Sequence, residues 1–345
     1  MSIFNRIENS FEEGLPFVSY RKPNSKKIHA FFQHDTTVNT IEEYSKSGFV
    51  FAPFNDKDSA IFIPRNKATY LEEELPSFTI NLHEKNASID YSSEKKHIDL
   101  VKKGINAIHE NNFKKVVLSR KELVELSDFD HLSVFRNLLA TYSNAMVYIW
   151  FHPKIGLWLG ATPETLVKIN GNSFETMSLA GTQTYQKSTI AKWTQKEINE
   201  QQFVTDYIVE KLEPICNSLK TGKTETIKAG SLLHLKTKIE GVIKVKSSQL
   251  IAALHPTPAV CGLPKEESKN FILKNELYKR TFYTGFLGEL NGTDKKTQLF
   301  VNLRCMEITN NKAVIYVGGG ITKDSIPEKE WEETVAKAMI MRKML

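Results

Sequence analysis

Two pairs of glutamates, each three residues apart, are the first candidates for chemistry in this sequence. Glu197 and Glu200 lie in KEINE, and Glu330 and Glu333 lie in EWEET. On a helix, this spacing places both carboxylates of a pair on one face. If the two faces meet, they form a hard oxygen site suited to Mg²⁺, which binds few protein carboxylates and keeps room for water and an anionic substrate. Glutamate pairs also keep surface helices soluble, so a metal site and a solvated face both remain open.

Two further features could hold an anion. The segment VGGGI at 317–321 ends a strand in Gly318, Gly319 and Gly320, where bare backbone N–H groups can approach a carboxylate. Its spacing is not that of a dinucleotide or phosphate loop, and a tight turn is the alternative. Arg304 lies in LFVNLRCMEI, which we interpret as one apolar strand. Its guanidinium can clamp a carboxylate with two hydrogen bonds or take part in a structural ion pair.

Candidate acid and base groups stand at the ends of apolar strands. Lys115 opens the strand KVVLSR, where partial desolvation can lower the pKa of an amine, and Glu164 follows Pro163 in a turn, where a carboxyl pKa can be raised. His255 and Thr257 lie in the loop LHPTPAVCG and can hydrogen-bond a ring substituent. Each also has a plain interpretation as a solvated or structural residue. The sequence offers no arrangement for nucleophilic hydrolysis.

Composition narrows the class of protein. The chain has 345 residues, 41% of them hydrophobic, and a net charge of +6 spread along its length without a basic arm, so nucleic acid is not an expected partner. Cys216, Cys261 and Cys305 lack the spacing of a disulfide framework or a zinc site, which favours the reducing cytoplasm. The N-terminus does not resemble a signal peptide, and no stretch approaches the ~18 apolar residues of a spanning helix. We expect a soluble monomer or weak homo-oligomer.

The elements that must position these residues alternate along the chain. Residues 1 to about 90 contain short strands, among them GFVFAPF at 48–54. A helix through Ile98 to Ile108 leads into the strand KVVLSRKELVEL, and the centre of the chain is rich in strands. Residues 195–219 predict a long amphipathic helix, and PEKEWEETVAKAMIMRKML predicts a closing helix that begins near Pro327. One continuous α/β or α+β domain is favoured over two separate units.

Many of these segments, taken in order, resemble motifs of the chorismate-utilising enzymes, which include isochorismate synthase, salicylate synthase, anthranilate synthase component I and aminodeoxychorismate synthase. The resemblance spans about residues 90 to 345. It implies an α/β (α+β) fold like that of anthranilate synthase component I, a large two-sheet sandwich with outer helices. We expect a single chorismate-binding domain over 1–345, in which 1–90 complete the sheet and 91–345 carry the motifs. The motifs are KVVLSR, GATPE, LAGT, KEINE, LHPTPAVCG, RTFYTG, LFVNLR, VGGGI and EWEETVAK.

The resemblance implies a role for each candidate. Glu200 and Glu333 are expected to be the principal Mg²⁺ ligands, with support from Glu197 and Glu330, and the substrate carboxylate completes the coordination. The pyruvyl carboxylate of chorismate is expected to lie against Arg304, Tyr283 and the backbone of Gly318, Gly319 and Gly320. The rest of the pocket is expected to be lined by Gly181, Thr182, His255, Thr257 and Lys337.

The nucleophile separates the members of this family. Those that use water resemble this chain in having lysine at Lys115, which would deprotonate water for attack at C2, while Glu164 protonates the departing C4 hydroxyl. Ala180 stands where aminodeoxychorismate synthases carry a nucleophilic lysine, which argues against an amine product. Gln201 departs from the usual Glu-His ending of the metal-helix motif and affects hydrogen bonding around the ligand.

We therefore expect an isochorismate synthase, an isomerase that serves menaquinone or catecholate siderophore biosynthesis. Salicylate synthase adds water with the same groups and then eliminates pyruvate, and both Tyr283 and Leu303 suit either enzyme. We favour isochorismate because the elimination is an added capability. A protein of this fold that binds a metabolite without catalysis is the remaining alternative, although Lys115, Glu164, Glu200 and Glu333 are all present.

Overall fold

The computed structural model describes residues 2–78, 91–185, 191–229, 232–292 and 294–345. Several helices in this part of the chain begin at a polar cap. Ser2 caps the first helix by accepting a hydrogen bond from the backbone of Asn5, and Asp130 caps the third by accepting one from Leu132. The α-helices are α1 (Ile3–Glu12), α2 (Tyr91–His109), α3 (His131–Thr141), α4 (Gln195–Leu212), α5 (Ser247–Leu254), α6 (Lys265–Asn275) and α7 (Pro327–Arg342).

The strands form two nine-stranded sheets within the described residues. The first sheet has the order β14 (Gly262–Leu263), β7 (Lys115–Glu125), β18 (Lys312–Ile321), β17 (Cys305–Thr309), β9 (Gly156–Thr162), β8 (Met146–His152), β1 (Phe17–Arg21), β2 (Lys27–Gln33) and β6 (Ala68–Glu74). The second has the order β12 (Cys216–Ala229), β13 (Leu232–Ile243), β11 (Ser173–Thr184), β10 (Thr165–Asn170), β16 (Lys296–Val301), β15 (Phe286–Leu290), β4 (Gly48–Ala52), β5 (Ala60–Pro64) and β3 (Asn39–Ile41).

Aromatic side chains fill the space where the two sheets pack together. Trp150 and Trp158 of the first sheet belong to the same buried cluster as Phe49, Phe51 and Phe300 of the second. The outer faces are covered by helices: α1, α3 and α7 pack on the first sheet, and α4 and α5 pack on the second. The predicted two-sheet sandwich with outer helices is confirmed.

The N-terminal strands β1 to β6 form one end of each sheet. β1 pairs with β8 and β2, so it lies in the interior of the first sheet, and β4 pairs with β15 in the second. No helix in the part of the chain that the structure describes is long and apolar enough to cross a membrane.

Two sequence interpretations of the elements were wrong in detail. The apolar run around Arg304 is not one strand, because β16 ends at Val301 and β17 begins at Cys305, with Arg304 in the left-handed region at φ 49°. The long helix predicted over 195–219 ends at Leu212. A short 3₁₀ turn (Glu213–Ile215) that contains Pro214 follows, and β12 begins at Cys216. Proline lacks an N–H and clashes with the preceding turn, so it ends the α-helix.

Candidate active site

A cavity of about 210 Å³ collects most of the predicted site residues. Its wall is built from strands of both sheets and from the two helices that carry the glutamate pairs, α4 and α7. The lining residues are Lys115, Val117, Pro163, Glu164, Leu179, Ala180, Gly181, Glu197, Glu200, His234, Ala259, Val260, Tyr283, Thr284, Leu303, Arg304, Tyr316, Val317, Gly318, Gly319, Gly320, Glu330, Glu333, Lys337 and Met341.

The glycines at the end of β18 allow Glu330, Glu333 and Glu200 to lie close to one strand. A Cβ at Gly319 would lie 3.4 Å from Glu330 Oε2 and 3.5 Å from Glu333 Oε1. A Cβ at the next residue, Gly320, would lie 3.2 Å from Glu200 Oε1 and 3.0 Å from Lys115 Cε. Gly319 and Gly320 are not in the positive-φ region, so these glycines serve close approach and not a turn.

Lys115 lies at the start of β7, with only 5% of its surface exposed. Its backbone is fixed by pairing with Leu263 of β14 and by a hydrogen bond of 2.9 Å from the Ser268 hydroxyl to its carbonyl oxygen. The side chain reaches across to α4, where Nζ donates to Glu200 Oε1 at 2.7 Å. The amine is therefore held inside the cavity by a carboxylate and not solvated at a sheet edge.

Glu164 is the buried carboxyl of the site. It follows β9 and Pro163, its carbonyl oxygen accepts a hydrogen bond of 3.0 Å from the backbone of Val301, and only 4% of the residue is exposed. Burial raises the pKa of its carboxyl to about 7, although the charges of Lys115, Arg304 and Lys337 act in the opposite direction. A carboxyl with this pKa retains a proton near neutral pH and can act as a general acid.

Arg304 is aimed into the cavity by the left-handed backbone between β16 and β17. Its carbonyl oxygen accepts a hydrogen bond of 3.0 Å from the backbone of Ala161, which anchors the kink to β9. Burial lowers the pKa of its guanidinium to about 10, so the group remains charged at neutral pH. Among the described residues no carboxylate forms an ion pair with Arg304, and the alternative of a structural ion pair is therefore not what the structure favours.

His234 of β13 is a cavity residue that the sequence interpretation missed. Its Nδ1 lies 3.0 Å from the carbonyl oxygen of Gly181, and its Nε2 lies 3.5 Å from Arg304 Nη2. Burial lowers the pKa of the imidazole to about 4, so the ring is neutral at pH 7. A carbonyl oxygen only accepts, so Nδ1 carries the proton and the Nε2 lone pair faces the guanidinium. In sequence, a single histidine in an alternating strand gives no such signal.

His255 and Thr257, which were predicted to line the pocket, lie outside its wall. The His255 ring is buried, with Nε2 3.0 Å from the Pro53 carbonyl oxygen and its centroid 4.9 Å from that of Phe286. Thr257 is buried too, and its carbonyl oxygen accepts from the backbone of Val260 and Cys261. The chain turns there, so that Ala259 and Val260 are the lining residues from this loop.

The remaining predicted contacts fall around the same space. Gly181 lines the cavity at φ 72°, and a Cβ there would lie 3.3 Å from that of Glu197. Tyr283 lines it with its hydroxyl directed at Gly318, where a Cβ would lie 3.1 Å from that oxygen. Lys337 donates to Gly318 O at 3.0 Å and to Glu333 Oε1 at 2.7 Å. The side chain of Thr182 lies outside the described residues.

The four glutamates are held in different ways. Glu200 accepts a hydrogen bond from Lys115, Glu333 accepts one from Lys337, and Glu330 is buried. Glu197 also caps α4, since its Oε2 accepts a hydrogen bond of 2.6 Å from the backbone of Thr194. Within the described ranges no group of three or more His, Cys, Asp or Glu side chains is arranged to hold a metal ion. The donor chemistry nevertheless suits Mg²⁺, because four carboxylates from two helices line one cavity.

Gln201, next to Glu200, connects α4 to the second sheet through hydrogen bonds. Its amide nitrogen donates to Ser178 Oγ at 2.9 Å and to Thr237 Oγ1 at 3.0 Å, on β11 and β13. The side chain therefore points to the sheet and not to the neighbouring carboxylate, and its effect on Glu200 is exerted through the position of the helix.

Comparisons with known proteins show the family and the fold of the chain. The family model described as chorismate binding enzyme matches residues 33–345. The vibriobactin-specific isochorismate synthase of Vibrio cholerae serotype O1 is 27% identical, over 96% of this chain and 85% of that protein. The menaquinone-specific isochorismate synthase MenF of Escherichia coli has a similar structure, with a TM-score of 0.82, 20% identity and coverage of 96% and 88%.

Anthranilate synthase component I of Streptococcus pneumoniae also shares the fold, with a TM-score of 0.71 and 19% identity over 90% of this chain and 82% of that one. The likeness to these two solved structures shows the fold, and the family model covers most of the chain, including every lining residue of the cavity. The chain therefore belongs to the chorismate-binding enzyme family.

Proposed function

We propose that the protein is an isochorismate synthase, which converts chorismate to isochorismate by adding water at C2 and expelling the C4 hydroxyl. The observation that carries the proposal is the presence of a lysine amine, Lys115, and a carboxyl with a pKa of about 7, Glu164, in one cavity. The name of the Vibrio cholerae relative, which aligns along most of this chain, supports the same reaction.

The two groups divide the proton transfers of the reaction. Lys115 accepts a proton from water as the oxygen of that water bonds to C2. The two ring double bonds shift, the C4–O bond breaks, and Glu164 supplies a proton so that the hydroxyl leaves as water. A base and an acid that act in one displacement leave no charged intermediate in the ring. The burial of Glu164 keeps it protonated for this role.

The substrate's two carboxylates are assigned to different parts of the cavity. Arg304, Tyr283 and the backbone of Gly318 to Gly320 would hold the pyruvyl carboxylate, because Arg304 is a buried cation and the glycines leave their backbone accessible. His234 is well placed to fix the Arg304 guanidinium through Nε2.

We propose that Mg²⁺ is held chiefly by Glu200 and Glu333, with Glu197 and Glu330 in support. When bound, Mg²⁺ neutralises the ring carboxylate of the substrate and orients it. The carboxylate of Glu200 accepts a hydrogen bond from Lys115, so the proposed base lies directly beside one of the proposed ligands. Lys337 remains beside Glu333 and keeps positive charge at that end of the cavity.

The N-terminal 90 residues are proposed to be an integral part of this single unit, since the strands β1 to β6 complete one end of each sheet. The product would serve menaquinone or catecholate siderophore biosynthesis. We place the protein in the cytoplasm as a monomer or weak homo-oligomer, and its three buried cysteines are free thiols, in keeping with a reducing compartment.

The test is to incubate the purified protein with chorismate and Mg²⁺ and to identify the products by chromatography and mass, with EDTA and the Glu164→Gln variant as controls. We expect isochorismate that forms only with the metal and the intact carboxyl. Salicylate plus pyruvate would show that the chain is a salicylate synthase. Unchanged chorismate that still binds would show a metabolite binder without catalysis.

A further inference from the structure

Arg120 holds the helix that presents Glu330, Glu333 and Lys337, although it does not itself line the cavity. It is buried on β7, the strand that begins with Lys115. Its Nε donates to the hydroxyl of Thr334 at 2.8 Å, and its guanidinium carbon lies 4.3 Å from the ring centroid of Trp331. Both partners belong to α7. The strand that begins with the proposed base therefore also contacts the helix that carries two of the proposed metal ligands.

Trp331 and Thr334, the two residues of α7 that contact Arg120, are placed so that they fix the rotation of the helix about its axis. Trp331 follows Glu330 and Thr334 follows Glu333, and successive residues of a helix are about 100° apart around its axis. Arg120 therefore holds one flank of α7 while the glutamates project from the adjacent flank into the cavity. Thr334 is fully buried, and its hydroxyl donates to the carbonyl oxygen of Trp331 at 2.8 Å, which leaves the oxygen lone pair for Arg120.

A second set of contacts links Arg120 to the C-terminal end of α7. Arg120 Nη2 donates to Glu122 Oε2 at 3.0 Å, and the other oxygen of the same carboxylate accepts from Arg342 Nη1, near the end of α7, at 2.7 Å. His97 of α2 also approaches the Trp331 ring, with centroids 6.1 Å apart. A rotation of α7 would break these contacts together.

We infer that Arg120 is a positioning residue that sets the rotation of α7 and thereby aims Glu330 and Glu333 at the metal. The planar guanidinium is required because it stacks on an indole and donates in two fixed directions at once, which an ammonium cannot do. This inference rests on the proposed function, since it assumes that the glutamates of α7 bind Mg²⁺.

The test is titration of the purified protein with MgCl₂ alone by calorimetry, together with Mg²⁺-dependent initial rates at saturating chorismate. We expect Arg120→Lys to weaken Mg²⁺ binding roughly tenfold or more, the loss typical when a group that orients a metal ligand is removed. High Mg²⁺ should restore most of kcat, because Lys115 and Glu164 are untouched. Circular dichroism without metal checks that the variant is folded before the titration, because ligand binding would also rescue a partly unfolded protein.

Matched variants separate positioning from general stability. Thr334→Val removes the acceptor of Arg120 Nε and is expected to weaken Mg²⁺ binding, whereas Thr334→Ser keeps the hydroxyl and should bind nearly as well as the unaltered chain. Arg6→Met removes a similar cation contact, 5.6 Å from the Phe32 ring near the other end of the first sheet, and should leave Mg²⁺ binding unchanged.

The outcomes distinguish this inference from the proposed function. A folded Arg120→Lys variant with unaltered Mg²⁺ affinity would overturn the positioning role, and so would an equal loss in Arg6→Met. Chorismate left unchanged by the unaltered protein that binds Mg²⁺ would instead overturn the proposed reaction. Absence of Mg²⁺ binding by the unaltered protein would overturn both.

Discussion

The protonated carboxyl of Glu164 has a measurable effect on stability that does not depend on any assay of turnover. Burial raises its pKa from 4.5 to about 7 in the folded protein. The folded chain therefore holds this proton to a higher pH than the unfolded chain does, and the free energy of unfolding falls as pH rises between those values. The destabilisation of the fold by this carboxyl reaches its full size above pH 7 and disappears below pH 4.5.

Replacement of Glu164 by Gln removes this cost. At about 1.36 kcal/mol per pKa unit, the carboxyl destabilises the fold by roughly 1 kcal/mol at pH 5 and roughly 3 kcal/mol at pH 8. Any effect of the amide on packing is the same at pH 5 and pH 8, so it cancels when the two values are compared. The gain in unfolding free energy from Glu164→Gln should thus be roughly 2 to 3 kcal/mol larger at pH 8 than at pH 5.

Urea unfolding of both proteins at the two pH values, without metal or chorismate, measures this difference. Asp35→Asn is the control: the backbone N–H of Thr37 lowers the pKa of Asp35, so its contribution is already complete at pH 5 and should not change up to pH 8. If Glu164→Gln has the same effect on stability at pH 5 and pH 8, the carboxyl is ionised at neutral pH and cannot be the proposed acid.

Three other changes test separate parts of the site. Lys115→Ala should abolish most turnover while Mg²⁺-dependent chorismate binding persists, and retained activity would remove its role as base. Glu333→Gln should weaken metal binding more than Glu330→Gln in a Mg²⁺ titration, a ranking that equal effects would refute. Gly320→Ala should lower kcat at least tenfold with little loss of melting temperature, since the new methyl would press on Lys115 and Glu200. Full activity in this variant would show that a methyl group at Gly320 fits without displacing Lys115 or Glu200.

The sequence predicted the elements well where periodicity and helix breakers act locally. The alternation in KVVLSRKELVEL corresponds to β7, and Pro327 begins α7. The break at Arg304 could not be predicted in this way, because the apolar residues on both sides read as one strand. Its positive φ is held by a contact to Ala161 of β9, which is distant in sequence.

The candidate site residues were predicted from the order of the motifs, but the positions of two histidines relative to the cavity could not be predicted in this way. His255 lies in a recognisable loop, yet its ring is hydrogen-bonded to the Pro53 carbonyl oxygen outside the cavity wall. His234 lines the cavity instead, beside Gly181. That placement follows from the pairing of β11 with β13, whose register shifts between Ala180 and Gln183. Neither the pairing nor the shift is visible in the residues themselves.

The most direct test of the proposed reaction is to run it in water enriched in oxygen-18 with chorismate, Mg²⁺ and the purified protein. The oxygen at C2 must come from solvent if Lys115 activates water, so the isochorismate recovered at early times should carry one heavy oxygen. Isochorismate without the label would mean that the hydroxyl is transferred within the substrate, and it would contradict the assignment of Lys115 and Glu164 as base and acid of a water displacement.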